Sequence, residues 1–381
     1  MNKYFPYGYH HAQRDGWSVI CSQDTAESIL IKLLRRGLAH TLGFDLIHAW
    51  RNRAELRSAD VIWTHTEREH LAAALILSLS RRPAPKLIAQ CVWLFDNWSK
   101  LSAPKRALYR HLLRVADVVT TQSPEDLRLA QAVMPGHPTA CVLSGGAIEW
   151  MTPPRDMRMH QPLRLAALGN DMHRDWETLL SAFGGRKQYE VAIASKKLSP
   201  RQLRNTPNIR LVNVQTAAQV RHLYEWADLV VVPLKANHHA SGITVLFEGI
   251  ISGVPVIVTD TGGLRAYFSN DEAAYVAPNA PDEMRAMADK LSANPEQRLA
   301  MVARAQERMR TAELTKQGYA ERHRQLTERL LANRQAGPQV TMSPESCRVL
   351  RQVKVFVLLG YGFGANRWRD RYERGLIPGL N

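Results

Sequence analysis

The stretch "HHASGITVLFEGIISGVPVIVTDTGG", residues 238–263, carries the clearest structural signal in the chain. It opens with polar and small residues, continues as an apolar run with helical spacing, and then becomes β-branched in "VPVIVTD". Glycines flank the helical run, and two more end the stretch. Glu248 is the one acid in the helical run. We therefore predict a loop, a helix and a strand in sequence, with Glu248 placed to meet a ligand.

The start of this helix and the end of this strand both suit a nucleotide. Ser241 and Gly242 lie where the loop enters the helix, and the backbone N–H groups and dipole of a helix start attract phosphate. Glu248 follows about two turns later, where a carboxylate can accept hydrogen bonds from two ribose hydroxyls. Gly262 and Gly263 supply a second set of backbone donors.

Strands and helices alternate along most of the chain. "ADVIWTH" (59–65) has the pattern of a strand and "EREHLAAALILSLSRR" (67–82) that of a helix. The alternation stops in the Pro-rich stretch 149–162, which we interpret as a linker, and restarts at 163; the last two helices are expected at 281–293 and 295–332. This predicts an α/β protein with two doubly wound, Rossmann-like domains and a ligand cleft between them.

We place an N-terminal domain at 1–150, a C-terminal domain at 151–332 and a basic, aromatic tail at 333–381. Within the tail, "VKVFVLLGYGFGANRWRDRYERG" (353–375) mixes apolar, aromatic and basic residues, as membrane-surface segments do. "APKRALYRHLLR" (103–114) forms a second basic amphipathic face. Two interpretations of the tail stay open: it docks on a membrane, or it packs across the two domains.

Composition narrows the class of protein. Of 381 residues, 45% are hydrophobic and 22% charged, which fits a folded globular chain. The four cysteines are far apart, so we expect neither disulfides nor structural zinc, and a reducing cytoplasm. We expect no signal peptide and no membrane span, because the first residues contain no apolar h-region and the apolar runs are shorter than the ~20 residues needed to span a bilayer. The formal charge of +15 favours an acidic partner: nucleic acid, an anionic membrane or a phosphate-bearing ligand.

The stretch 241–263 resembles the donor-binding signature of GT-B glycosyltransferases, in particular the retaining enzymes around glycosyltransferase family 4. The whole pattern is also similar to bacterial exopolysaccharide-assembly enzymes. The resemblance implies that Glu248 binds ribose and that Ser241 meets the phosphates. The family often has a second Glu eight positions earlier, where this chain has Ala240. We therefore expect its contact with the sugar to be absent, or to be supplied by a neighbour such as His239 or Lys235.

A second similarity lies in "LAALGNDMHRDWETLLSAF", residues 165–183. In the family a strand ends in Gly-Arg and a Lys enters the next helix, and both grip the diphosphate. Here Gly169 and Asn170 take the first two positions and Arg174 falls near the Lys. The resemblance therefore implies phosphate binding by Arg174, which can grip phosphate in bidentate fashion, with Asn170 and Lys235 in support.

The N-terminal half matches the family less well. The family commonly has a His after an N-domain strand, but "LIAQCVWLFDNW" (87–98) contains none. We expect His65 and Asp96 to face the cleft as catalytic residues. "YFPYGYHHAQRDGW" (4–17) is similar to the loop after the first strand of these enzymes. The resemblance implies that Gly8, His10 and Arg14 in this loop approach the acceptor or a phosphate.

The resemblance implies transfer of a hexose from a nucleotide sugar, such as a UDP- or GDP-hexose, to a lipid-linked glycan acceptor in exopolysaccharide or surface-polysaccharide synthesis. We expect retention of configuration and no cofactor. We also expect no metal, because His238 and His239 have no third ligand at a suitable spacing. The protein is expected in the cytoplasm, peripheral on the cytoplasmic face of the inner membrane, which offers an anionic surface.

Two alternatives stay open at this point. One is a GT-B epimerase or phosphorylase. The other is a nucleic-acid-binding protein, which the positive charge favours. Because the basic residues are scattered through helices and the strands are apolar, we expect no nucleic acid as partner.

Overall fold

The protein is described here by a computed structural model that covers residues 6–14, 16–79, 84–155, 159–335 and 352–361. The described residues divide into two units. One contains those up to Val142 together with those from Gln317 onwards, and the other contains Leu143–Lys316. Each unit is built on one six-stranded sheet in which every strand pair is parallel. The predicted α/β class with two Rossmann-like domains is confirmed.

The sheet of the first unit has the strand order β1-β12-β2-β3-β4-β5. Its strands are β1 Trp17–Cys21, β2 Val61–Thr64, β3 Lys86–Gln90, β4 Val118–Thr121, β5 Thr139–Cys141 and β12 Val353–Leu358. Its helices are α1 Ile29–Leu42, α2 Leu46–Arg51, α3 Arg53–Ser58, α4 Glu67–Ser78, α5 Ala103–Leu113, α6 Pro124–Val133 and, from its second residue onwards, α12 Lys316–Gln335.

Strand β12 joins the far end of the described chain to the interior of this sheet. It pairs with β1 on one side and β2 on the other, so Val355 lies beside both Val19 and Val61. Phe356 and Val357 are fully buried. The sequence predicts that this segment belongs to a tail lying across the domains or on a membrane. Residues 353–358 instead form an inner strand, because the continuous apolar run from Val355 onwards suits burial on both faces of a parallel sheet. The remainder of that segment, 362–375, lies outside the described residues.

The sheet of the second unit has the order β11-β10-β9-β6-β7-β8. Its strands are β6 Leu163–Leu168, β7 Tyr189–Ala194, β8 Ile209–Leu211, β9 Leu229–Val232, β10 Val256–Thr259 and β11 Ala274–Val276. Its helices are α7 Trp176–Phe183, α8 Ala217–Trp226, α9 Ile243–Ile251, α10 Pro281–Ala293 and α11 Pro295–Thr311. One apolar cluster lies on each face of this sheet.

Two boundaries differ from those drawn on the sequence. The division between the units falls after Val142, before the Pro-rich stretch 149–162. The single helix expected at 295–332 is two helices, α11 and α12, separated by a turn in which Glu313 has a φ of 50°. A positive φ at a non-glycine residue ends a right-handed helix. Among the described residues, the structure contains no helix long and apolar enough to cross a bilayer.

Candidate functional site

The order in which the strands follow one another reverses within the sheet of the second unit. Strands β6, β7 and β8 follow one another to one side, whereas β9, β10 and β11 follow one another to the other. The reversal falls between β6 and β9, which are paired. In an open parallel sheet, ligands bind outside the carboxyl ends of the strands at such a point. The loops after β6 and β9, residues 169–175 and 233–242, lie there.

Arg174 is the most informative side chain in these loops. It is 6% exposed, and its Nε donates a hydrogen bond of 3.0 Å to the carbonyl oxygen of Leu168. Its Nη1 is buried and has no hydrogen-bond partner among the described residues. Burial lowers the pKa of Arg174, opposed by Asp171 among others, but a guanidinium stays charged at neutral pH. A buried cation with an unused N–H group is suited to receive an anion.

Two glycines leave the space that the side chain of Arg174 occupies. Gly169 has a φ of 144°, and a Cβ there would lie 2.0 Å from Nε of Arg174. Gly242 caps the start of α9 with a φ of 84°, and a Cβ there would lie 2.6 Å from Val232 Cγ1 and 3.1 Å from Nη1 of Arg174. The unused N–H group of Arg174 therefore lies beside the start of α9. A helix start and a cation in one place are suited to binding phosphate.

Asp171 organises the side chains around this point. Ser241 donates a hydrogen bond of 2.6 Å from Oγ to Oδ2 of Asp171, and His239 Nε2 lies 3.4 Å from the same oxygen. The backbone N–H of His173 donates to Oδ1 at 3.2 Å. Burial opposes ionisation, but these hydrogen bonds outweigh it and hold the pKa of Asp171 well below its usual range. Asp171 is not among the residues predicted from the sequence, although its position just beyond the carboxyl end of a strand was an available signal.

Asp171, His173 and His239 also form a cluster that can hold a cation. One ligand atom from each lies within 4.8 Å of the others. The sequence predicts no metal, on the ground that no third ligand accompanies the histidine pair. That ground is wrong, because folding brings Asp171 and His173 to His239 from the loop after β6. Carboxylate and imidazole are common metal ligands, but Asp171 already accepts hydrogen bonds from its neighbours.

Glu248 lies in the middle of α9 and is 7% exposed. The hydroxyl of Tyr224 donates a hydrogen bond of 2.6 Å to its Oε2. Burial raises the pKa of Glu248 to about 7, although Tyr224, Lys316 and Arg174 pull it down. An acid whose charge is this costly to maintain is typical of a functional position.

The other donor-side candidates are used in different ways. Asn170 is exposed, and its Oδ1 accepts a hydrogen bond of 2.7 Å from the backbone of Lys196, in the loop after β7. Lys235 is exposed beside His173, to whose carbonyl its backbone N–H donates at 2.8 Å. These two side chains lie at the rim of the loops and not in the buried cluster.

Gly262 and Gly263 begin a 3-10 helix, Gly262–Ala266, after β10. The N–H of Gly263 donates to the carbonyl oxygen of His239 at 3.4 Å. The sequence predicts that both glycines offer free backbone donors to a ligand. The N–H group of Gly263 instead forms a hydrogen bond that connects the loop after β10 to the loop after β9.

The first unit has a cavity of about 280 Å³ beyond the end of β2. His65 lines it, with Tyr7 stacked on its ring at 3.4 Å between centroids and the Tyr9 hydroxyl 3.1 Å from its Nδ1. Burial, with a smaller contribution from His323, lowers the pKa of His65 to about 3, so the ring is neutral at physiological pH. Trp93 lines the cavity as well, whereas Asp96 is not among the described residues that do.

The remaining acceptor-side candidates lie away from this cavity. The 3-10 helix Pro6–Ala12 contains Gly8 and His10 and precedes β1, although the sequence predicts that this loop follows the first strand of its domain. Gly8 is buried, the ring of His10 contacts that of His11 at 4.0 Å between centroids, and the exposed Arg14 forms a 3.1 Å ion pair with Glu321. None of the three is among the described residues that line the cavity.

Most residues that line the cavity were not predicted from the sequence, among them Tyr7 and Glu69. Burial raises the pKa of Glu69 to about 7, although its carboxylate accepts hydrogen bonds from the backbone N–H and the hydroxyl of Thr66. Thr66 and Glu69 form the capping box of α4. That spacing was visible in the sequence, but it predicts a helix start and not a cavity.

Sequence comparison identifies part of the second unit. Residues 181–308, about a third of the chain, match the family model for glycosyl transferases group 1. The matched segment includes α9 with Glu248 and Gly242. No curated protein sequence matches the chain significantly.

Comparison with solved structures extends over most of the chain. Sucrose-phosphate synthase from Thermosynechococcus elongatus has a TM-score of 0.63 at 17% identity, over 78% of this chain and 80% of its own. HepE from Anabaena, solved with UDP and glucose, has a TM-score of 0.63 at 14% identity, over 86% and 94%. Trehalose 6-phosphate synthase from Burkholderia multivorans has 0.61 at 13% identity, over 79% and 78%. These similar structures are GT-B glycosyltransferases, so the predicted fold is confirmed.

Proposed function

We propose that this protein is a glycosyltransferase that moves a hexose from a nucleoside diphosphate sugar to a lipid-linked glycan acceptor in exopolysaccharide or surface-polysaccharide synthesis. The observation that carries the proposal is the unused N–H group of buried Arg174 beside the start of α9. The match of residues 181–308 to glycosyl transferases group 1 supports it. UDP is the first nucleotide to test, because HepE was solved with UDP-glucose.

The diphosphate is the leaving group in this reaction, and negative charge grows on it as the bond to the sugar breaks. Arg174 and the N–H groups at the start of α9 are fixed before the substrate arrives, so they stabilise that charge without reorganising. Lys235, exposed at the rim, adds a mobile positive charge. Glu248 accepts hydrogen bonds from the ribose hydroxyls in this scheme. We further propose that configuration at the sugar is retained.

The sugar and the acceptor use different groups. Asp171, held ionised by Ser241 and His239, is suited to accept hydrogen bonds from sugar hydroxyls. In the first unit, the cavity lined by His65 and Glu69 is our proposed acceptor site. A neutral imidazole there can accept or donate a hydrogen bond with a glycan hydroxyl. The protein is proposed to work on the cytoplasmic face of the inner membrane, where lipid-linked acceptors are anchored.

Comparing the binding of UDP with that of uridine separates the proposed phosphate contact of Arg174 from the proposed ribose contact of Glu248. We expect Arg174→Met to weaken UDP binding about tenfold or more, since one hydrogen bond to a charged group is worth about 1.5–3 kcal/mol. Binding of uridine, which has no phosphate, should change little. Glu248→Gln should weaken UDP and uridine to the same degree. Isothermal titration calorimetry measures all four affinities.

Arg201→Met, at an exposed position on the 3-10 helix Pro200–Leu203, is the matched control and should bind UDP like the unchanged chain. Circular dichroism establishes that each variant is folded. If folded Arg174→Met binds UDP as tightly as the control, the phosphate site is elsewhere and the proposal fails.

We propose that the reaction needs no metal, because Asp171 already accepts hydrogen bonds from Ser241 and the backbone of His173. Sugar transfer should therefore survive dialysis against EDTA without added Mg²⁺ or Mn²⁺. If EDTA instead removes the activity, Mn²⁺ restores it, and His173→Ala abolishes this restoration, then the cluster binds a cation.

A further inference from the structure

Helix α1 exposes a large apolar surface. Its residues Ile29, Leu30, Ile31, Leu33 and Leu34 are between 41% and 79% exposed. Of the large apolar side chains in the described residues, no other helix exposes so many. Contiguous apolar surface on a globular protein marks an interaction site.

The packing of α1 is the reverse of a normal surface helix. Its buried residues are Ala39 and a cation, Arg35. Arg35 is held by ion pairs with Glu27 at 2.9 Å and Asp45 at 2.6 Å. Because these pairs hold Arg35 inward, the apolar side chains of the first half of the helix are turned outward, whereas Leu42 at its end packs against the core.

The charge of this helix selects one kind of partner. Residues 29–42 contain no acid, and Lys32 and Arg36 are exposed among the apolar side chains. The nearest acid in sequence, Glu27, is engaged by Arg35 and Arg51. The outward face is therefore apolar and cationic, as in helices that lie in the headgroup region of a bilayer.

We propose that α1 docks the protein on an anionic lipid bilayer, with its apolar side chains among the acyl chains and Lys32 and Arg36 at the headgroups. This docking proposal rests on the membrane location given in the proposed function, and it identifies α1 as the surface that contacts the membrane. Arg35 also lines the cavity that contains His65, so α1 adjoins the proposed acceptor site. A lipid-linked acceptor would enter that cavity from the surface on which the helix lies.

Two other occupants of this face are the chain's own residues 362–381 and a second copy. The ring of Tyr361 stacks on Arg35 at 3.8 Å, so the segment that follows starts beside α1. That segment contains four arginines and two acids, so its excess charge has the same sign as the charge on α1. A second copy would likewise bring two cationic faces together. An anionic bilayer matches the charge of the face, and we therefore place it there.

The test measures binding of the full chain to vesicles of phosphatidylcholine with and without phosphatidylglycerol. We expect flotation with the anionic vesicles, weakened by added salt. Leu30→Gln/Leu33→Gln should reduce the partition coefficient about tenfold or more, because two leucines no longer transfer into the lipid. Leu79→Gln, at a 70% exposed position on the same unit, is the matched control and should change it less than about twofold.

UDP affinity, measured on the same samples, should be the same in all variants, so failure of the docking proposal leaves the proposed donor site intact. Equal flotation of the α1 variant and the control overturns the docking proposal. So does a full chain that stays in solution with anionic vesicles. In that case a change in sedimentation coefficient caused by Leu30→Gln/Leu33→Gln would assign the face to a second copy.

Discussion

The place of Arg174 depends on an atom that is missing from Gly169. A Cβ at Gly169 would lie 2.0 Å from Nε of Arg174, and its φ of 144° is unfavourable for other residues. The side chain of Arg174 can therefore lie against the backbone that ends β6 and reach the start of α9. Gly169 thus orients the guanidinium of Arg174 by leaving space for it, although it has no side chain that could contact a ligand.

We expect Gly169→Ala to destabilise the protein by about 1–3 kcal/mol and to weaken UDP binding about tenfold, because the guanidinium must move. Urea denaturation and UDP titration measure the two effects. Gly37→Ala, in α1, is the control: nothing lies within 4 Å of its added Cβ, so we expect stabilisation of about 0.5–1 kcal/mol and unchanged UDP binding. Unchanged UDP affinity in Gly169→Ala would show that Arg174 does not hold the phosphates.

Glu248 should make stability fall as the pH rises. Its pKa is near 4.5 in the unfolded chain and about 7 in the folded protein, so below 4.5 both states are protonated. Between these values the unfolded chain releases the proton first, and the folded state loses up to about 3 kcal/mol of relative stability by pH 8. Glu248→Gln carries no charge in either state and avoids this loss.

The free energy of unfolding of Glu248→Gln should therefore exceed that of the unchanged chain at pH 8, with the difference shrinking toward pH 4.5. Urea titrations at pH 5, 6, 7 and 8 follow the trend. Glu225→Gln, on an exposed side chain, controls for the chemical change itself. A constant difference at every pH would mean that Glu248 does not titrate in this range.

At the scale of single elements, the local sequence predicts where a helix or a strand begins and ends. The bounds of α9 and β10 fall inside the loop–helix–strand pattern of 238–263, because apolar spacing decides both elements. Glu248 and Arg174 could be proposed from their positions in such patterns. The pairing of Asp171 with Ser241 and His239 could not, since 70 and 68 residues separate these pairs and only sheet order brings their loops together.

Strand β12 shows the same limit more strongly. Its apolar residues indicate a buried segment, but nothing in them specifies β1 and β2 as neighbours. Its flanking basic and aromatic residues made a membrane segment an equal alternative. Parallel pairing is decided by the whole connection between strands, and here that connection spans nearly the full chain.

The position of β12 predicts a large effect on stability. Phe356 is fully buried between β1 and β2, so we expect Phe356→Ala to destabilise the protein by about 3–5 kcal/mol. The control is Val353→Ala at the half-buried start of the strand, which removes less buried surface and should cost less. Urea denaturation measures both. If Phe356→Ala leaves stability unchanged but lowers vesicle binding, residues 353–358 act as a membrane segment.

At the scale of the whole molecule, the two units divide the proposed reaction. The second unit contains the buried cation, the helix start and Glu248, which together suit a nucleoside diphosphate. The first unit contains the cavity with His65 and the apolar helix α1, which suit a lipid-linked acceptor. The excess of 50 basic over 35 acidic residues fits this proposal, because the nucleoside diphosphate and the proposed bilayer surface are both anionic.

Hydrogen exchange can test this division directly. At a UDP concentration of 100 times Kd, a site that binds only in the folded state gains about 2.7 kcal/mol of protection against opening. We expect that protection in peptides covering 169–175 and 237–251, whose backbone surrounds Arg174 and the start of α9. Peptides covering 65–72, along the cavity of the first unit, should exchange unchanged. At the same UDP concentration, a tenfold weaker site retains only about 1.4 kcal/mol, so Arg174→Met should reduce the protection to that value or less, while Arg201→Met retains it in full. Protection concentrated in 65–72 would place the nucleotide in the first unit and reverse the assignment of donor and acceptor.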